Sequence, residues 1–254
     1  MRLEWFEMIV KRTYKPWLIT LLIMALFKGL IFSLYNTTYA SKLDNAIATL
    51  PRVVAQSMGF IINDNTLESF LITYYYNALF FIAMIVFFFI VMKALNKAPL
   101  TMQRGDSPHL VNITKTKALS MIGITIDFMI VLTLLGLLMG SQIHPSAFNT
   151  SLYLTINVNV LMVLIILGAL CFACTQISKT MTLANLSFIT LLVLWFGFVR
   201  LLETTINAKY FAQFRLFDLS QTLTPTRTAF FFILSIMFYG ITLIKARHEA
   251  PNTS

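Results

Sequence analysis

Six stretches of this chain, at about 17–36, 70–93, 118–140, 152–177, 183–201 and 228–245, are each apolar over the length of a membrane span. A spanning helix needs about 20 such residues. Lipid offers an open backbone no hydrogen bonds, so segments of this kind must be helices that satisfy their own N–H and C=O groups. The composition agrees: 58% of the 254 residues are hydrophobic and 11% are charged. A soluble domain carries about 25% charged residues, and no soluble core of this size absorbs so much apolar surface. The pattern predicts an all-α membrane protein with a six-helix transmembrane domain over 17–245 and a tail at 246–254.

Residues 1–16 read as an amphipathic elbow helix. Leu3, Phe6, Val10 and Tyr14 recur at spacings of three and four, and Arg2, Glu4, Glu7, Lys11, Arg12 and Lys15 take the other face. A helix so patterned lies in the membrane interface. Pro16 is expected to break it before Trp17, an interfacial anchor. The apolar core from Trp17 to Leu34 is longer than the 7 to 15 residues of a cleaved signal sequence, so the first span reads as retained.

Lysine and arginine orient the spans. With the N-terminus inside, the inner segments hold Arg2, Lys11, Arg12, Lys15, Lys93, Lys97, Arg104, Lys115, Lys117, Lys179, Lys245 and Arg247. The outer segments hold only Lys42, Arg52, Arg200, Lys209, Arg215 and Arg227. This places both termini in the cytoplasm. The net charge of +9 follows from loops that face anionic lipid headgroups, since no basic run points to nucleic acid. The spans at 152–177 and 183–201 are separated by Ser178 to Thr182 alone and form a tight helical hairpin.

Two charges interrupt the spans, Lys28 in the first and Asp127 in the third. Each costs roughly 3 kcal/mol on insertion scales. At 1.5 Å per residue Lys28 lies about 16 Å and Asp127 about 13 Å from the inner ends of their spans. The two can therefore meet as an intramembrane charge pair or gate; Lys28 snorkelling outward is the other reading. Asn157 and Asn159 suit a polar cavity or a bond across helices. Thr73 to Asn77, with Tyr74, Tyr75 and Tyr76, reads as an aromatic belt, and Arg200 with Glu203 as a local ion pair. Cys171 and Cys174 stand in an apolar stretch, without a second such pair or a nearby histidine, and read as reduced core residues.

No phosphate-binding loop, HExxH or GxSxG occurs, and no nucleophile–base pair or acidic ladder for a metal lies in the spans. The chain is expected to be no enzyme and to hold no metal or cofactor. The loop at about 94–117 is basic and punctuated by Pro99, Gly105 and Pro108. Asp106 or Ser107 is placed to cap a short helix beginning near Pro108 and lying along the membrane. The outer loop at about 202–227 carries AKYFAQFRLFDLSQTL and reads as partly helical.

This layout resembles the permease subunits of bacterial ABC-2-type (type V) ABC transporters. LPRVVAQSMGF at 50–60 is similar to their leucine–proline segment after the first span. Arg104-Gly105 through Lys117 is similar to their coupling segment, although Arg104 stands where an acid is usual and no Pro-x-Ser-Arg follows. FRLFDLSQTL at 214–223 is similar to their aromatic–Asp segment before the last span. The resemblance implies an ATP-driven exporter. ATP and magnesium would bind in a separate ABC ATPase subunit, contacted through Arg104, Gly105, Asp106, Lys115 and Lys117. It also implies a second copy of the chain or a paralogous permease, and an amphipathic peptide or hydrophobic compound as substrate. Gram-positive permeases of this kind export peptides, lantibiotics or drugs, and staphylococcal-type exporters of phenol-soluble modulins fall among the members it resembles. The alternative is a membrane anchor or assembly protein with no transport path.

Overall fold

The computed structural model describes residues 3–35, 45, 49, 66–76, 78–96, 107–178, 180–205 and 225–249. Seven helices order the described residues: α1 (Leu3–Leu34), α2 (Leu67–Tyr74), α3 (Ala78–Asn96), α4 (Ser107–Ile143), α5 (Thr150–Ile177), α6 (Met181–Thr205) and α7 (Pro225–Glu249). Lys11–Leu34, Leu79–Asn96, Asn112–Ile143, Thr150–Ile177 and Thr226–Arg247 are long and apolar enough to cross a membrane. Leu22, Leu26, Leu134 and Ile233 are exposed, as are many other large apolar side chains of these helices. A water-facing monomer does not carry apolar surface on this scale. The chain has the character of an all-α, multi-pass membrane protein.

The architecture departs from the sequence expectation in four places. Among the described residues five helices are long and apolar enough to cross a membrane where six were expected; the described apolar run of α6 is Met181–Trp195. Pro16 lies inside α1 instead of ending it, so the elbow and the first span are one helix of 32 residues. Proline removes one intrahelical bond and crowds the preceding turn, and membrane helices tolerate this where neighbours satisfy the freed group. The second span is broken, with α2 ending at Tyr74 and α3 beginning at Ala78. Finally, the helix expected to lie along the membrane near Pro108 is the start of α4, which runs on without interruption for 37 residues. A proline at the second position of a helix loses no bond, because the first N–H groups have no intrahelical partner.

α5 is the central element and packs against α2, α3, α4, α6 and α7, while α1 packs against α2, α3 and α4. Its start is set by Asn149, whose side chain accepts the N–H of Leu152, as an N-cap residue does. Glu68 of α2, itself buried, also accepts the Asn149 N–H. The α5–α6 hairpin forms as expected, with Thr180 Oγ1 accepting the Leu183 N–H at the start of α6. Cys171 and Cys174 are free and buried. The segment at 50–60, most of the outer loop at 202–227 and the end of the tail lie outside the described residues.

Candidate functional site

The polar centre of the bundle is built around Lys28, which is completely buried. An ammonium group has three hydrogens to donate and a large hydration energy to replace. Lys28 Nζ donates to Tyr153 Oη at 2.6 Å, to Tyr76 Oη at 2.9 Å and to the Leu132 carbonyl at 3.2 Å. It also lies 5.0 to 5.3 Å from the ring centres of Tyr75, Tyr76 and Tyr153, within reach of their negative faces. The three oxygens that accept from it are neutral.

The acceptors are themselves fixed. Tyr76 Oη donates to Asn157 Oδ1 at 2.6 Å, and Thr133 Oγ1 donates to the same oxygen at 3.1 Å. Asn157 Nδ2 donates to the Tyr153 carbonyl at 2.8 Å, and Tyr153 Oη donates to the Thr133 carbonyl at 3.3 Å. Tyr75 Oη donates to the Met24 carbonyl at 3.1 Å. Four elements thus meet at one ammonium: α1, the α2–α3 break, α4 and α5.

The break explains how two consecutive tyrosines reach the interior. Within a helix, neighbours point about 100° apart. At the end of α2 the N–H groups of Tyr75 and Tyr76 both turn back to the Leu71 carbonyl at 2.9 Å, and both side chains become buried. Gly136 of α4 supplies the room: a Cβ there would overlap the Tyr153 hydroxyl and stand 2.9 Å from Lys28 Cε.

No family model, curated protein or solved structure matches this chain. Its functional reading therefore rests on the geometry and on the resemblance carried by the sequence.

The expected Lys28–Asp127 pair is not formed. Lys28 takes its bonds from Tyr76, Tyr153 and Leu132, and Asp127 is exposed. Both residues lie at mid-span, but at about 100° per residue Asp127 is roughly 140° around α4 from Leu132 and 180° from Gly136. Matching depth is not matching direction. Asn157 makes the cross-helix bonds expected of it, and Asn159 is buried on another face of α5. Tyr75 and Tyr76 belong to the interior and not to an aromatic belt. The signal that could have placed them was the Asn77 that follows, a helix-breaking polar residue inside an apolar run.

A second polar cluster closes the basic end of the bundle. Lys117 Nζ donates to Asn96 Oδ1 at 3.0 Å, and Gln176 Nε2 donates to the same oxygen at 3.2 Å. Lys245 Nζ donates to the carbonyls of Gln176 and Ile177 at 3.0 and 3.1 Å, where the last carbonyls of α5 have no intrahelical donor. Lys117 is thus tied to the end of α3, and Lys115 is exposed. Arg104, Gly105 and Asp106 lie outside the described residues, and Arg200 and Glu203 lie on α6.

Proposed function

We propose that this chain is the transmembrane subunit of an ATP-driven exporter of the ABC-2 type, with six spans, cytoplasmic termini and a separate ATPase. It would sit in a bacterial cytoplasmic membrane. The observation that carries the reading is the length of α4. The Lys117–Asn96–Gln176–Lys245 cluster marks the level at which α3 and α5 end. From that level α4 continues ten residues back to Ser107, about 15 Å at 1.5 Å per residue. A continuous helical extension past the ends of α3 and α5, carrying the exposed Lys115, suits a lever moved by a soluble subunit. The resemblance implies a coupling segment at Arg104 to Lys117, which overlaps this extension. α6, 25 residues in all, is long enough to serve as the sixth span.

In this reading ATP-driven closure of the ATPases pushes the α4 extension. The push strains the polar cluster at the basic end, and the α4–α5 seam that holds Lys28 transmits the motion. The substrate is an amphipathic peptide or hydrophobic compound. Substituting the polar residues between Asp106 and Lys117 is expected to leave the chain inserted while abolishing substrate-stimulated ATP hydrolysis by the co-purified ATPase. Variants that keep both partner binding and stimulated hydrolysis would refute the coupling role. The complete hydrogen bonding of Lys28 favours a second reading, a static anchor. In that case neutralising Lys28 changes stability alone.

A further inference from the structure

The outward face of α4 carries a charge that lipid does not suit. Leu119, Gly123, Asp127, Ile130, Leu134 and Leu138 are all exposed and recur every three or four residues, so they form one stripe. Among the described residues Asp127 is the one exposed charged side chain in the middle of a candidate span. The exposed cations Lys11, Arg12, Lys15, Lys93, Lys115 and Arg247 all lie toward the basic end. Asp127 is ten residues along α4 from Lys117, about 15 Å deeper than the polar cluster. One turn before it, Gly123 faces open space, with nothing within 4 Å of a Cβ built there. A small residue beside a polar one is the arrangement by which membrane helices approach closely and bond across their interface.

We propose that this face of α4 docks a transmembrane helix of a different chain, which presents a lysine or arginine to Asp127 at mid-bilayer. Among the described residues a second copy of this chain offers no free cation at that depth. A two-fold axis along the membrane normal brings equal depths together. Among the described residues the cation at that depth is Lys28, which is buried and donates its three hydrogens to Tyr76, Tyr153 and Leu132. The self-pair would set Asp127 against Asp127, like charges that repel. The complementary partner is therefore heteromeric and cationic. The inference rests on the membrane placement of α4 and the direction of Asp127. It does not depend on ATP-driven transport and stands or falls separately from it.

The test uses the full chain in lipid nanodiscs, labelled for energy transfer, with two synthetic leucine–alanine transmembrane helices as probes. One carries a single central arginine and the other a central leucine. The arginine helix is expected to bind about tenfold more tightly than the leucine helix, and Asp127→Asn to remove most of that difference. Because Asp127 is exposed, the substitution is expected to leave the fold intact, with unchanged helix content by circular dichroism; Asp127→Glu, which keeps the charge, should keep the preference. Equal binding of the two probes to the wild-type chain overturns the proposal. So does an arginine preference that survives Asp127→Asn, or self-association of the chain that Asp127→Asn abolishes.

Discussion

Lys28 and its tyrosines should respond to mutation asymmetrically. In Lys28→Met a buried charge is removed along with its desolvation cost, and a flexible apolar chain of similar length fills the space. Tyr76 and Tyr153 keep their donations to Asn157 Oδ1 and the Thr133 carbonyl. The Leu132 carbonyl loses its contact with the ammonium. The expected net change is within about 1 kcal/mol of zero, as for buried charges replaced by apolar groups of like volume. In Tyr153→Phe the charge stays buried and loses its shortest bond, 2.6 Å. A hydrogen bond to a charged group is worth roughly 1.5–3 kcal/mol, and that much stability should be lost. The double variant should recover most of the loss, because the hydroxyl is needed only while the ammonium is present, giving a coupling of about 1–2 kcal/mol. Reversible unfolding of the detergent-solubilised chain in a denaturing surfactant measures all three. The reasoning is refuted if Lys28→Met is the more damaging single change, or if the two effects add. Under the exporter reading, Lys28→Met also lowers transport at near-native stability, which a purely structural lysine would not do.

Gly136→Ala is expected to cost about 1–3 kcal/mol, the usual penalty of overpacking. Its Cβ collides with the Tyr153 hydroxyl and ring carbon Cζ and with Lys28 Cε, and the same unfolding assay should find the loss partly relieved in a Tyr153→Phe background, which removes the nearest of these atoms. Glu68→Gln keeps an acceptor for the Asn149 N–H but removes a negative charge from the N-terminus of α5. A loss of about 0.3–2 kcal/mol is expected at neutral pH, and thermal unfolding of wild type and variant side by side would measure it.

The membrane character was legible in the sequence because hydropathy is a sum over residues and needs no neighbours. So was the special standing of Lys28, since an ionisable group inside an apolar span requires a partner wherever the chain folds. The α5–α6 hairpin followed from a connection too short for any other geometry. The partners of Lys28 were not legible. Counting residues gave Lys28 and Asp127 similar depths, but the rotation of α4 about its own axis, set by its packing against α1 and α5, turned Asp127 away. The break between Tyr74 and Ala78 was marked in the sequence by Asn77 alone, inside a local apolar run that reads as one span. Pro16 misled for a related reason. Its local penalty is real, yet a long helix under tertiary and lipid constraint absorbs it.

The sequence by itself determined the solvent, the helical class and the one residue most in need of explanation, because transfer free energies and obligatory backbone bonding act residue by residue. Tertiary structure alone decided who meets Lys28, that α4 runs on past the ends of α3 and α5, and that Asp127 faces outward. These depend on azimuth and on the relative ends of helices, which are fixed only when side chains from four elements compete for the same space.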